Sequence, residues 1–371
     1  VKREVKWVSL LGVLALLLFA TWFVLQVRYK PKSSGHALVK VWESDLGLNA
    51  SYNKRLAASE VDLYPPAINF LDDSTIICGF YSGQLFVPGE EPKDSTYHVV
   101  GIDAVKGAIS QEITVNAVSQ SAKALPINGD RFVVFDGAHL QLFGNNFAPI
   151  PGYSDPTARV KFEPLRAKID VTPNQERIVL FYGSNDGGFN AQWLSANDFA
   201  EASRLTGVLS FFVGASGDAL LGYERNGGLV ILHSDRTSRT SCANCGGEFI
   251  NDKLLFVHDN TRYHIETIDG KMLVSGRLDL TAGNFTRSLF APRIAYVTGA
   301  YTSSTSQYTG ISGDVVVFDW NTEQMVSELK WEEPITNPSA GLNQMSLALS
   351  PDGKLLAVLL HHTLTLYRLP L

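Results

Sequence analysis

Cysteine is scarce in this chain. There are three among 371 residues, at positions 78, 242 and 245. None lies near the N-terminal apolar run, which argues against a lipid-modified anchor cysteine. Excess positive charge is also missing. The formal net charge is −6 and no basic stripe is visible, so nucleic-acid binding has no electrostatic support. The sequence has no Walker loop, no nucleophile elbow, no His-Glu-x-x-His and no EF-hand loop. No catalytic constellation, resident metal or cofactor is therefore expected from motifs.

Apolar residues make up 45% of the chain, against 18% charged, and 31 glycines suit many turns. Residues 7–27 carry no charge. At 1.5 Å per residue such a helix spans roughly 30 Å, one hydrocarbon core. The run is too long for a signal-peptide core and no small-x-small site follows. The expected organisation is a short tail (1–6), a transmembrane helix (7–27), a linker (28–36) and one globular domain (37–371). Lys2, Arg3 and Lys6 precede the span and Arg28, Lys30 and Lys32 follow it, so positive charge barely decides orientation. A short N-terminus kept inside puts the domain on the extracytoplasmic (periplasmic or extracellular) side of a single-pass protein.

The clearest pattern closes the chain. Ser346–Leu349 is a short apolar-rich run, and Ser-Pro-Asp-Gly-Lys at 350–354 is a turn in which Pro presets φ and Gly accepts a positive φ. Leu355–Leu360 is continuously apolar, as in a strand covered on both faces, and Thr363–Tyr367 alternates with period two. This unit resembles the repeat of WD40-like and YVTN-like β-propellers, in which such a turn joins the first two strands of a blade. Trp-Asp pairs at blade ends are absent, so the resemblance is one of architecture.

Similar second-strand runs centre near Ile76, Val133, Val179, Leu220, Leu255, Ala295 and Leu355, at the spacing of propeller repeats. The expected fold is all-β, a seven-bladed β-propeller preceded by the membrane helix. The last blade has three strands before the chain ends, and residues 37–43 form an isolated strand before the first blade. The economical expectation is that 37–43 completes the last blade and closes the ring, removing open sheet edges.

Four strands per blade assign connections to faces by parity. Turns after first and third strands are short. The long connections fall on the other face: 81–96, 183–190 and 299–313 after second strands, and 46–65, 147–165 and 236–246 between blades. Insertions gathered on one face suit a binding surface, and drift in unconstrained loops would look the same. Tyr81, Phe86, Tyr301 and Tyr308 are its aromatic candidates. His139, His258, His361 and His362 fall in or beside second-to-third turns with Asp136, Glu224, Arg225, Asp259 and Arg262. They read as a polar rim or as a cradle for a metal or an anion, but no pair has ligand spacing on one element.

Cys242-Ala243-Asn244-Cys245 is the sharpest local signal. Haem attachment would need His at 246, where Gly stands, and zinc would need a second ligand pair. Flanking strands do not suit a thioredoxin-type motif. A structural disulfide is expected, with free thiols or a partnered metal as alternatives. Cys78 lies in an apolar strand as a buried residue. The functional expectation is a membrane-anchored binding or scaffold module that takes a protein or other ligand on the long-loop face. The alternative is a hydrolase, lyase or oxidoreductase with a metal or substrate at the channel mouth, where Asn69 and Asp170 on first strands are inward candidates. A thiol redox role for the cysteine pair is a third reading.

Overall fold

The apolar runs pair as successive antiparallel meanders. The computed structural model describes residues 32–33, 37–46, 66–82, 95–119, 121–128, 130–152, 155–159, 167–183, 189–208, 211–223, 228–233, 237–239, 245–259, 262–277, 285–304, 307–322, 324–334, 345–360 and 362–370. Among these, no helix is long and apolar enough to cross a membrane. The apolar run 7–27 lies outside the described residues.

Seven sheets form seven blades. Blade 1 runs Ala67–Phe70, Thr75–Ser82, Thr96–Asp103 and Ile109–Asn116. Blade 2 has Lys123–Ile127, Arg131–Phe135 and Leu140–Gly144, and blade 3 has Ala167–Val171, Arg177–Gly183, Phe189–Ser195 and Glu201–Val208. Blade 4 is Phe211–Ser216, Ala219–Tyr223, Leu229–Leu232 and Thr237–Arg239; blade 5 is Gly246–Asn251, Leu254–His258, Arg262–Thr267 and Met272–Arg277. Blade 6 comprises Phe285–Arg287, Arg293–Ser304, Gln307–Asp319 and Gln324–Pro334. Blade 7 comprises Met345–Leu349, Leu355–Leu360, Thr363–Arg368 and, from the far end of the chain, Val39–Asp45.

The closure is as expected, two residues further along than the sequence suggested. Val39 pairs with Arg368 and Asp45 with Thr363. Trp42 then packs against Gly107 of blade 1, and its Nε1 donates to Ala104 O at 2.7 Å. Leu46, just past the strand's end, donates its N–H to His362 O at 3.0 Å.

Seven apolar clusters fill the seven junctions between neighbouring blades. This explains the continuous apolar second strands. In Thr75–Ser82, Ile76, Cys78 and Phe80 face blade 7, while Ile77 and Tyr81 face blade 2. Successive side chains of a strand point to opposite faces, and here both faces are covered.

Three expectations need correction. Among the described residues blade 2 has three strands, not four. Its place for a fourth is taken by a segment containing Pro149, Pro151 and Pro156, which cannot donate to a ladder; a single bridge, Phe143 to Pro149, and a 3-10 turn, Pro156–Arg159, remain. The third strand of blade 2 thus ends at the short-turn face, while blade 3 begins at the other, so the connection 147–165 does not join two strand ends on one face as expected.

Residues 299–313 are not a loop. They continue two paired strands, with Tyr301 opposite Ile311 and Ser303 opposite Tyr308. The outer strand follows as far as Gly310 opposite Pro334. Finally, Lys32–Ser33, read as linker, pairs in parallel with Gln324–Met325.

Candidate functional site

The first strand of each blade lines the axis. A cavity of about 350 Å³ lies there, walled by Asn69 of blade 1, Lys123 of blade 2, Asp170 of blade 3, Glu248 of blade 5, Arg287 of blade 6 and Ser346 of blade 7. Period-two alternation sends one set of these strand residues inward and the other into the blade junctions. Asn69 and Asp170, the inward candidates from sequence, both line the cavity. Glu248, Lys123 and Arg287 escaped notice because each stands alone in its strand, with no motif around it.

Blade 4 contributes backbone. A Cβ on Gly214 would lie 3.6 Å from Asp170 Oδ2 and 3.8 Å from Glu248 Oε2, so the two carboxylates converge over this glycine. Burial, reinforced by the Asp170 charge, pushes the Glu248 carboxyl up to about 7, with Arg287 and Lys123 working against the rise. On blade 3, burial and the nearby Lys123 lower the pKa of Lys168.

Arg287 crosses the axis. Its Nη1 donates to Phe249 O at 2.9 Å and Nη2 to Val171 O at 3.4 Å, tying blade 6 to blades 5 and 3. A guanidinium suits this because its donors fan out in one plane. Ser346 Oγ accepts the Ile68 N–H at 3.1 Å, and Thr286 Oγ1 accepts the Leu349 N–H at 3.4 Å. Much of the polar lining thus holds first strands to one another. No group of three or more metal-ligating side chains occurs among the described residues. Glu248 beside Asp170 is a group able to exchange a proton near neutral pH.

The residues expected on the long-loop face do not form one cluster. Tyr81 is buried; its hydroxyl donates to Ala122 O at 3.0 Å and its ring meets Tyr97 edge-on at 4.9 Å. It belongs to the junction of blades 1 and 2 and is withdrawn from the binding face. His139 is exposed, and its N–H and Nδ1 engage Asp136 at 2.7 and 3.2 Å. His258 packs over Gly246, where a Cβ would meet its ring at 2.7 Å, and burial lowers its pKa while Asp259 opposes. Asp259 Oδ1 accepts the Arg262 N–H at 2.7 Å, closing the same turn, with Arg262 exposed. His362 is half-buried.

Phe86, Arg225, His361 and Cys242 lie outside the described residues, and for Tyr301 and Tyr308 the backbone alone is described. Cys245 is buried at the entry to blade 5, and its carbonyl accepts the Tyr223 hydroxyl at 2.9 Å. Cys78 is free and buried, and burial pushes its thiol up to about 12.

No family model and no curated protein matches the sequence. Solved structures do. The Neurospora crassa Pan2 WD40 domain superposes with a TM-score of 0.55 at 9% identity, covering 92% of this chain and 98% of that one. A chain of the mitotic checkpoint complex gives 0.52 at 12%, covering 92% and 97%. BBS1N in complex with ARL6DN gives 0.50 at 13%, covering 91% and 98%. At such identities the likeness is one of fold. This chain is accordingly a seven-bladed β-propeller with the architecture of WD40 domains.

Proposed function

We propose that this propeller is a membrane-tethered binding scaffold that takes a protein partner on its long-loop face. The observation that carries this reading is the shape of blade 6. Its second, third and fourth strands, Arg293–Ser304, Gln307–Asp319 and Gln324–Pro334, outrun the three-residue first strand Phe285–Arg287. Beyond Tyr296 and Val297 they form a three-stranded arm that, among the described residues, has no first strand beside it. At about 3.3 Å per residue the arm rises roughly 20 Å from the blade. Among the described residues both of its outer strands are sheet edges, the usual template for strand addition by a partner.

The distribution of connections supports the same face. On the short-turn face the longest connections between strands of a blade are 104–108, 172–176, 196–200, 288–292 and 350–354; strand ends on the other face are separated in sequence by 46–66, 83–95 and 335–344. Two of the similar structures come from protein complexes, BBS1N with ARL6DN and the mitotic checkpoint complex. Residues 7–27 supply the tether, with the propeller on the extracytoplasmic side, and Cys242 and Cys245 form a disulfide that pins the chain entering blade 5. Affinity capture from solubilised membranes tests the reading, comparing the intact chain with one whose arm is cut back at 299–313. Partners lost on trimming support it; an unchanged partner set refutes it. Thiol titration in denaturant tests the bridge, with one reactive thiol expected before reduction and three after it, as the chain has three cysteines.

A further inference from the structure

The proposed tether and the exposed apolar side chains meet at one end of the propeller. Val39 begins the closing strand beside Arg368, where the third strand of blade 7 ends, so the chain enters the ring at the short-turn face. Lys32 pairs with Gln324 at the start of the fourth strand of blade 6, at the same face. Residues 28–31 alone separate Val27 from Lys32. Fully extended, they reach about 14 Å.

The exposed large apolar residues among those described are Val39, Val41, Val105, Ile109, Met272, Leu273 and Phe290. Scattered singly, such residues need no explanation. Their placement does. Val105 is in the turn after the third strand of blade 1, and Ile109 opens its fourth strand. Met272 and Leu273 open the fourth strand of blade 5, and Phe290 tops the first turn of blade 6. Val39 and Val41 open the closing strand of blade 7. Every one is at the short-turn end, and all are on blades 5, 6, 7 and 1, the sector into which the N-terminal segment feeds. Phe290 is 77% exposed and Val105 76%, so neither has a place in the core.

We infer that the short-turn face, on the sector of blades 5, 6, 7 and 1, rests on the lipid bilayer and turns the long-loop face and its arm away from it. The occupant is the bilayer because the chain outside the described residues holds an uncharged run that long and that near. The inference rests on the tether proposed above. Apolar side chains at this depth enter the headgroup boundary. Of the turn aspartates here, Asp103 accepts the Val105 and Lys106 N–H groups, Asp319 accepts those of Asn321 and Thr322, and Asp352 pairs with Lys354 at 2.8 Å.

Fluorophores on Phe290→Cys and Val105→Cys, and on His139→Cys at the opposite face, in full chain reconstituted into phosphatidylcholine vesicles with headgroup-level spin-labelled lipid, test this; the unsubstituted chain gives the thiol background. Several-fold stronger quenching at 290 and 105 than at 139 is expected. Equal quenching, or more at 139, in a chain that resists alkaline carbonate extraction overturns the orientation and leaves the tether standing. A chain that carbonate extracts overturns the tether and the orientation with it.

Discussion

Glu248 is a residue whose chemistry its sequence context does not show. Its carboxyl lies at about 7 in the folded ring against 4.5 ordinarily, so between those values the folded chain holds a proton that the unfolded chain has lost. The stability this contributes is fully present below about pH 4.5 and is lost as pH rises through 7. Glu248→Gln should therefore match the native chain at pH 4 and exceed it at pH 8 by on the order of 1–3 kcal/mol. Melting temperature followed from pH 4 to 8 reads this; a parallel pH dependence in both proteins would exclude the effect. At the turn of blade 7, Gly353 has φ +70°, and a Cβ there would stand 2.4 Å from Ala291 Cβ. Gly353→Ala should lower stability by about 2–3 kcal/mol, measurable by urea unfolding. This glycine was legible in the Ser-Pro-Asp-Gly-Lys motif. Glu248 was not, because its partners come from three other blades.

Among the elements, the blade 6 arm and the three-stranded blade 2 departed most from expectation. Ser and Gly between 299 and 313 suggest a loop by composition, yet the run also holds Tyr301, Tyr308, Ile311 and several threonines, all β-compatible. What decides the matter is the third strand at 330–334, which pairs with 310–314 and gives the hairpin a sheet to belong to. Isolated two-stranded hairpins are marginal in water. Cutting the arm back to a tight turn after Val297 should change unfolding stability by less than about 1 kcal/mol, since it leaves the seven junction clusters intact. Equilibrium denaturation checks that, and a large loss would make the arm part of the core. In blade 2 the prolines carried the signal: three lie in the stretch where a fourth strand would stand, each without the N–H a ladder needs.

For the whole molecule the decisive feature is closure. The apolar cluster between blades 7 and 1 is one of seven around the ring, and Val39–Asp45 is the strand that brings Trp42 to it. Removing residues 37–45 should therefore open the ring rather than trim an end. The expected result is a lowered transition for the entire propeller, with proteolysis reaching blades far from the cut. A ring that stays protease-resistant would show that closure is dispensable. A milder version is Trp42→Ala, expected to cost about 2–4 kcal/mol from lost packing and the bond to Ala104 O.

The sequence by itself determined the all-β class, the number of blades and the closing of the last blade by a strand from the N-terminal end. Each follows from local pattern: apolar runs of strand length, turn residues between them, one strand left over at the start and a last blade one strand short. The tertiary structure decided where the charges of the first strands meet, that Tyr81 is core, that 299–313 is an arm, and which end of the ring carries exposed apolar side chains. These depend on residues far apart in the chain. Alternation along a strand shows that two faces differ, but the curvature of seven blades determines which face looks into the channel and which into a neighbour.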